Sequence, residues 1–242
     1  MKLFDDDTMQ NGTAGNFGFS GVRPDKLGAA EYTLVTMVSD RSGSIRDLTQ
    51  HLLDAKRAIV GACQKSPRAD FLMLRDVEFS SRVEEVHGFK ELATIDASQY
   101  QEPVASGQTV LYDATFAAVA ATNEYAKTLA DADFSANAIV FVQTDGADYG
   151  STLTPKAVAA EIARGVANEW LESLIVVLIG INASQYAAEL EKFRKEGELT
   201  QYIDVGDATP QRLAKLADWV SRSVSAQSQA KGTGGPSQPL TF

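Results

Sequence analysis

The chain has 242 residues, of which 44% are hydrophobic and 22% charged, a composition that fits one globular domain and leaves little room for two. Its formal net charge of -10 repels a nucleic-acid backbone, and no basic patch offsets it. The sequence has no secretion signal and no apolar run of the roughly 20 residues that span a bilayer, so we expect a cytoplasmic protein that does not bind membranes. Because Cys63 is the only cysteine, an intrachain disulfide and a thiolate zinc site are excluded.

The two ends of the chain differ in composition from its middle. Residues 1–28 are rich in Gly, Asp, Asn and Thr without helical or strand periodicity, and they predict an irregular N-terminal arm. Within this arm, Phe17 and Phe19 either pin it to its own domain or serve as anchors for a partner. Residues 227–242 predict a flexible C-terminal tail, because their last dozen are rich in Gly and Pro. The domain is expected over residues 29–226.

The middle of the chain alternates short β-branched runs with longer helical patterns. Strands are predicted at 32–38, 71–79, 82–89, 138–143, 174–179 and 202–204. Helices are predicted at about 45–64, 111–129, 155 onward, 184–195 and 210–225. The second and third strands, joined by the polar turn Ser80-Ser81, predict an antiparallel hairpin at one sheet edge. The expected fold class is α/β: a doubly wound, mostly parallel central sheet with one antiparallel edge strand and helices on both faces.

Polar clusters stand where two buried strands end, and another lies just before the long alanine-rich helix. The first contains Asp40, Ser42 and Ser44, the second contains Asp145, and the third contains Thr109. Because open parallel sheets bind ligands at the carboxyl ends of their strands, we expect these clusters to meet in one crevice. All their side chains offer hard oxygen atoms, which suit Mg²⁺, Mn²⁺ or Ca²⁺ better than zinc. The sequence therefore predicts a site for one divalent cation, with Mg²⁺ as the first candidate. One exchangeable coordination position is expected to remain open.

These residues resemble a known family motif. Asp40, Ser42 and Ser44 match Asp-x-Ser-x-Ser, and Thr109 and Asp145 match the distant Thr and Asp, of the metal-ion-dependent adhesion site of von Willebrand factor A domains. The resemblance implies that the hydroxyls contact the metal directly or nearly so, while the aspartates act largely through water. By element order it covers residues from about 32 to 224, and the chain looks most like small stand-alone bacterial members of tellurium-resistance and stress-response operons.

Several residues near the motif have simpler interpretations. Arg41 occupies the variable position beside the metal, where it would add positive charge or steer an acidic partner. Asp113 and Asp148 are expected to be carboxylates of a helix or loop surface rather than further ligands. The only histidines, His51 and His87, lack a nucleophile motif and a second histidine at metal-ligand spacing, so we expect both to be structural.

The function that these observations favour is a metal-dependent protein-binding module, in which an acidic residue of a partner fills the open coordination position. No general base or nucleophile accompanies the motif, so we expect no enzymatic activity. One alternative is a structural assembly subunit, whose arm and tail connect neighbouring copies while the metal is incidental. Another is a metal-dependent phosphohydrolase, although the sequence has no glycine-rich phosphate-binding loop.

Overall fold

The computed structural model describes residues 8–233 and 240–242, and these contain eight strands. The strands are β1 Met9–Ala14, β2 Phe17–Val22, β3 Glu31–Asp40, β4 Leu72–Phe79, β5 Val83–Glu91, β6 Ser135–Thr144, β7 Leu174–Ile181 and β8 Gln201–Gly206. They form one sheet in the order β1-β2-β5-β4-β3-β6-β7-β8.

The centre of the sheet is parallel and its β1 side is mixed. Strands β4, β3, β6, β7 and β8 pair in parallel, whereas β5 runs antiparallel to β4. The central strands consist almost entirely of buried residues, as expected for a sheet covered on both faces. This arrangement confirms the predicted fold class. The observed sheet differs from the predicted one at its edge. Strand β5 is not the edge strand, because β2 and β1 continue the sheet beyond it.

Helices cover both faces of the sheet. They are α1 Thr49–Gln64, α2 Leu111–Ala130, α3 Pro155–Ala167, α4 Ala187–Glu196 and α5 Pro210–Thr233. The core on one face contains buried residues of α1 and α5, and the core on the other contains those of α2, α3 and α4. Within the described residues, none of these helices combines the length and the apolar composition that crossing a lipid bilayer requires.

The predicted irregular arm contains an ordered hairpin, so that interpretation was wrong for residues 9–22. Strands β1 and β2 pair antiparallel, and the ring of Phe19 is buried in the core beside α2. Glycines permit this docking: a Cβ on Gly21 would stand 2.5 Å from the ring of Tyr125, and a Cβ on Gly88 of β5 would stand 2.1 Å from the carbonyl oxygen of Ser20. Phe19 therefore pins the arm to its own domain. Residues 1–7 of the arm lie outside the described residues.

The C-terminal segment also differs from its prediction. Helix α5 continues to Thr233, so the predicted flexible tail is helical over residues 227–233. The buried Gln227 explains the extension, because its backbone carbonyl oxygen accepts a hydrogen bond from the Asn137 side chain and its side-chain Nε2 donates to the Ser173 hydroxyl. Residues 234–239 of the predicted tail lie outside the described residues, whereas Leu240 and Phe242 pack against the core around Trp219.

Candidate metal centre

The two motif aspartates leave neighbouring parallel strands at the same edge of the sheet. Asp40 is the last residue of β3, and Asp145 follows the last residue of β6. The pairing of Ser39 with Gln143 places these strand ends side by side. After Asp40 the chain forms a short 3-10 turn over Gly43–Asp47 before α1 begins, where the sequence predicted one continuous helix from residue 45. This turn keeps Ser42 and Ser44 beside the strand ends.

Hydrogen bonds connect four of the five motif side chains. The amide of Ser42 donates to Asp40 Oδ1 at 2.7 Å, and the hydroxyl oxygens of Ser42 and Ser44 lie 3.0 Å apart. Ser44 in turn donates to Asp145 Oδ1 at 2.9 Å, across 101 positions of sequence. The structure therefore brings together the side chains of Asp40, Ser42, Ser44 and Asp145. Their role as metal ligands stays a prediction.

The loop before α2 brings Thr109 to the same end of the sheet. The amide of Gly43 donates to the carbonyl oxygen of Gly107 at 3.2 Å, and the amide of Ser106 donates to the carbonyl oxygen of Arg41 at 2.9 Å. Gly107 has a φ of +84°, a conformation that favours glycine, so this approach depends on that residue. Thr109 is buried beside the motif, and its backbone pairs with that of Tyr149.

Burial shapes the electrostatics of the two aspartates. Burial of Asp40 away from water raises its pKa to about 6. Hydrogen bonds from Ser42 and Thr144 lower this pKa, but burial has the larger effect. Burial also raises the pKa of Asp145, although the hydrogen bond from the Ser44 hydroxyl lowers it. No ion pair within residues 8–233 or 240–242 involves either carboxylate. A dication would supply the positive charge that the surrounding side chains do not.

The hydroxyl of Thr144 is a feature of the site that the motif did not indicate. It lies 2.8 Å from Asp40 Oδ2 and accepts a hydrogen bond from the amide of Gly146 at 3.2 Å. Both oxygens of Asp40 are thus held, Oδ1 by Ser42 and Oδ2 by Thr144. The signal in the sequence is the position of Thr144, directly before Asp145 at the end of a buried strand, a position that the motif does not include.

Arg41 has a different environment from the one predicted. Its guanidinium group pairs with Glu84 and lies 4.0 Å from Glu78, both on the neighbouring hairpin of β4 and β5. Its side chain is largely buried, so two carboxylates of the same chain balance its charge. Arg41 therefore anchors the metal-site loop to the hairpin, and its charge is not free to steer an acidic partner.

Asp113 and Asp148 stabilise the loop that follows Asp145. Asp113 accepts hydrogen bonds from the amides of Thr152 and Leu153, at 3.1 Å and 2.8 Å. Asp148 accepts from the amide of Tyr112 at 3.2 Å and from the hydroxyl of Ser151 at 2.5 Å. These bonds hold the loop against the first turn of α2, close to Thr109.

The donor set fits a hard divalent cation. It combines carboxylate and hydroxyl oxygens, the ligands of Mg²⁺, Mn²⁺ and Ca²⁺, and it contains no soft sulfur ligand. Within the described residues, no three His, Cys, Asp or Glu side chains are grouped so that they could share a metal ion. A cation held here would therefore depend on the hydroxyls of Ser42, Ser44 and Thr109 besides the two carboxylates.

Comparisons with known proteins show similarity in structure alone, since no family model and no curated protein sequence matches the chain. The pilus adhesin SpaC from Lactobacillus rhamnosus GG matches with a TM-score of 0.56 and 12% identity, over 86% of this chain and 32% of that protein. The mussel byssus protein PTMP1, in a structure described as having a zinc-occupied MIDAS motif, matches with a TM-score of 0.52 and 20% identity, over 81% and 46% of the two chains. The PilB minor pilin from Streptococcus sanguinis matches with a TM-score of 0.56 and 13% identity, over 89% and 66%.

The chain has a von Willebrand factor A-like fold. At these identities the likeness concerns the fold, and the chain spans only about a third to a half of SpaC and PTMP1. The predicted resemblance is therefore confirmed for the architecture. The bacterial stress-response subfamily stays a prediction.

Proposed function

We propose that this chain is a protein-binding module that depends on one divalent cation, with Mg²⁺ as the first candidate. The cation is held at the candidate metal centre around Asp40 and Asp145. The observation that carries the proposal is the pair of buried aspartates that share a network of hydroxyls and that no described ion pair neutralises. Burying an unpaired carboxylate costs free energy, so such a pair stabilises a cation that binds there.

The residues of this chain have distinct parts in the proposed interaction. Ser42, Ser44 and Thr109 offer hydroxyl oxygens to the cation, and Asp40 and Asp145 balance its charge, in part through water. Thr144 and the amide of Ser42 keep Asp40 oriented. When bound, Mg²⁺ takes six oxygen ligands, one of which an acidic side chain of the partner supplies.

Binding is favoured over catalysis by the chemistry of the donor set. The set lacks histidine, lysine and cysteine, which often serve as general bases or nucleophiles. The alternative of an assembly subunit depended on a free N-terminal arm and a free C-terminal tail, whereas residues 9–22 of that arm dock on their own sheet. We propose a protein partner that supplies an acidic residue to the metal site, no nucleic acid and a cytoplasmic location.

Isothermal titration tests the metal site directly. We expect Mg²⁺ and Mn²⁺ to bind the full chain with one ion per chain, and we expect Asp40→Ala and Asp145→Ala to abolish that heat while circular dichroism shows an intact fold. Asp47→Ala is the matched control, because Asp47 is an exposed carboxylate on the same loop. Absence of binding by Mg²⁺, Mn²⁺, Ca²⁺ and Zn²⁺ alike would refute the proposal.

The interaction itself is tested by affinity capture from the native cell in Mg²⁺ and in EDTA. A protein retained in Mg²⁺ by the wild-type chain and by Asp47→Ala, but lost with EDTA or with Asp145→Ala, is the expected result. Capture that is identical under all these conditions would contradict a metal-dependent interaction.

A further inference from the structure

A groove of about 590 Å³ lies beside the candidate metal site, on the face of the sheet that α1 covers only in part. Helix α1 packs over the sheet centre, whereas the segment that follows β5 extends over the hairpin of β4 and β5. The groove lies between this hairpin and residues 94–104. Buried His87 and Tyr100 line it, and Val86 and Val104 are its exposed apolar side chains.

Hydrogen bonds from α1 hold the outer wall of the groove in place. Arg57 donates to the carbonyl oxygen of Tyr100 at 2.6 Å, and Gln64 donates to that of Ile95 at 2.6 Å. Thr49, in the first turn of α1, bonds to Glu102. The wall is thus fixed at three points along the helix, so the groove is already formed before anything binds. Such a groove requires little ordering of the protein when a ligand enters.

The groove and the metal-site loop are continuous. Arg41, the residue directly after Asp40, lines the groove through its contacts with Glu78 and Glu84. The outer wall leads from Val104 into Ser106, whose amide bonds to Arg41, and then into Thr109. An extended chain that placed a side chain at the metal would therefore enter the groove with its neighbouring residues.

The ionised side chains that line the groove carry more negative than positive charge. They include four carboxylates and two basic groups: Glu78, Glu84, Asp96, Glu102, Arg41 and Lys90. Arg41 is already paired with Glu78 and Glu84. The lining therefore favours a ligand with a basic group, and it disfavours one that is acidic throughout.

The exposed apolar surface is concentrated around this end of the molecule. Among the described residues, five large hydrophobic side chains are exposed: Val104 at 76%, Tyr149 at 70%, Val86 at 45%, Val166 at 44% and Tyr186 at 37%. Two of them flank the groove, and two lie on the other side of the metal site, where Tyr149 pairs with Thr109 and Tyr186 lies beside Gly146. Only Val166, on α3, lies elsewhere. Apolar groups gathered in this way mark a protein interaction surface.

We propose that the groove binds the part of the protein partner that flanks its metal-binding acidic residue, an extended segment with an apolar side chain between Val86 and Val104 and a Lys or Arg facing Asp96 and Glu102. This inference rests on the proposed function and adds to it a sequence preference for the partner. The acidic residue supplies the metal contact, and the apolar and basic residues supply selectivity.

Selection from a library of random peptides with one fixed Asp tests the preference. The full chain is used with Mg²⁺, and the enriched peptides are then measured by fluorescence anisotropy against three proteins: the wild type, Val86→Arg/Val104→Arg and Val166→Arg. The groove substitutions are at exposed sites and cancel the net negative charge of the lining, and Val166→Arg is the matched control, because Val166 is as exposed as Val86. Mg²⁺ binding to each protein is measured separately by titration.

We expect enriched peptides with an apolar and a basic residue on one side of the Asp. Their affinity should fall at least tenfold for the groove variant and stay unchanged for Val166→Arg, while all three proteins bind Mg²⁺ equally. Peptides that need Mg²⁺ but bind the groove variant as tightly as the wild type would overturn the groove inference and leave the proposed function intact. Failure of the wild type to bind Mg²⁺ would overturn both.

Discussion

Neighbouring strands β3 and β4 each bury an aspartate, and the surroundings of the two carboxylates are opposite in kind. Asp76 of β4 receives the ammonium group of Lys56 at 2.9 Å, within the packing of α1 on the sheet. Asp40 of β3 receives hydrogen bonds from Ser42 and Thr144, but no described ion pair includes it. One charge is balanced by a lysine of the same chain, and no described side chain balances the other.

This contrast distinguishes a structural carboxylate from a binding carboxylate more clearly than burial does, since both aspartates are almost fully buried. A buried charge with an internal partner makes the fold depend on that partner, because removal of the partner leaves the charge uncompensated. A buried charge without one lowers the stability of the metal-free protein and makes it depend on a ligand.

The largest expected effect on stability follows from removal of Lys56, the internal partner of Asp76. Lys56→Met leaves Asp76 buried without its cation, so we expect the free energy of unfolding to fall by about 3–5 kcal/mol. Urea unfolding followed by circular dichroism measures this change. Lys192→Met, which removes an exposed lysine 3.8 Å from Glu196, is the control and should cost less than about 1 kcal/mol. A loss no larger than that of the control would show that Asp76 does not need its cation.

Neutralisation of Asp40, in contrast, should not lower the stability of the metal-free protein. Its pKa is raised from 3.8 to about 6, so the folded state holds the proton more tightly and stability falls as the pH rises through that window. Asp40→Asn avoids this cost at neutral pH. We expect metal-free Asp40→Asn to be at least as stable as the wild type, and Mg²⁺ to raise the unfolding temperature of the wild type alone. A variant as destabilised as Lys56→Met would make Asp40 a structural residue.

A smaller effect is expected from the positioning residue Thr144. Thr144→Val keeps the shape of the side chain but removes the hydroxyl that lies 2.8 Å from Asp40 Oδ2. Outer-sphere partners of this kind change metal affinity by about 10- to 100-fold, so we expect that weakening for Mg²⁺ in isothermal titration. Thr152→Val, in the nearby loop, should leave the affinity unchanged. Equal affinities of Thr144→Val and wild type would show that the orientation of Asp40 does not depend on this hydroxyl.

At neutral pH the smallest effect is expected for His87, which pairs across the strands with the internally paired Asp76 and whose influence appears only in acid. Its Nε2 is 2.8 Å from the Tyr100 hydroxyl, and burial lowers the pKa of His87 from 6.5 to about 4. Between those values the unfolded chain binds more protons, so stability falls as the pH drops, by up to about 1.4 kcal/mol per pH unit. His87→Gln should flatten the dependence of the free energy of unfolding on pH in that window. His51→Gln, at an exposed position, should not change it.

The sequence predicted the order of strands and helices between residues 29 and 226 well, for a physical reason. Apolar runs such as 138–143 and 174–179 are buried on both faces, and their patterns depend little on what covers them. The start of α3 is equally local, since the Thr154 hydroxyl caps the helix by accepting a hydrogen bond from the amide of Ala157. A local signal of that kind is complete within a few residues.

The N-terminal hairpin could not be predicted in this way, because its stability depends on distant residues. Its glycine-rich strands show no sustained alternation of apolar and polar residues, and they pack against the ring of Tyr125 and the backbone of Gly88. Ser20 of β2 also donates to Glu85, which pairs with the buried Arg75 at 2.7 Å. These partners lie more than 60 positions away in sequence.

The sequence by itself determined the fold class and the expectation that five oxygen-bearing residues meet at one end of the sheet, because parallel strands place their carboxyl ends at the same edge. Only the tertiary structure decided how the charges there are distributed. It pairs Arg41 with Glu84 and Lys56 with Asp76, so that Asp40 has a hydroxyl neighbour in Thr144 and no basic partner among residues 8–233 and 240–242. Charge balance depends on which side chains meet across the fold, and neighbours in sequence do not specify it.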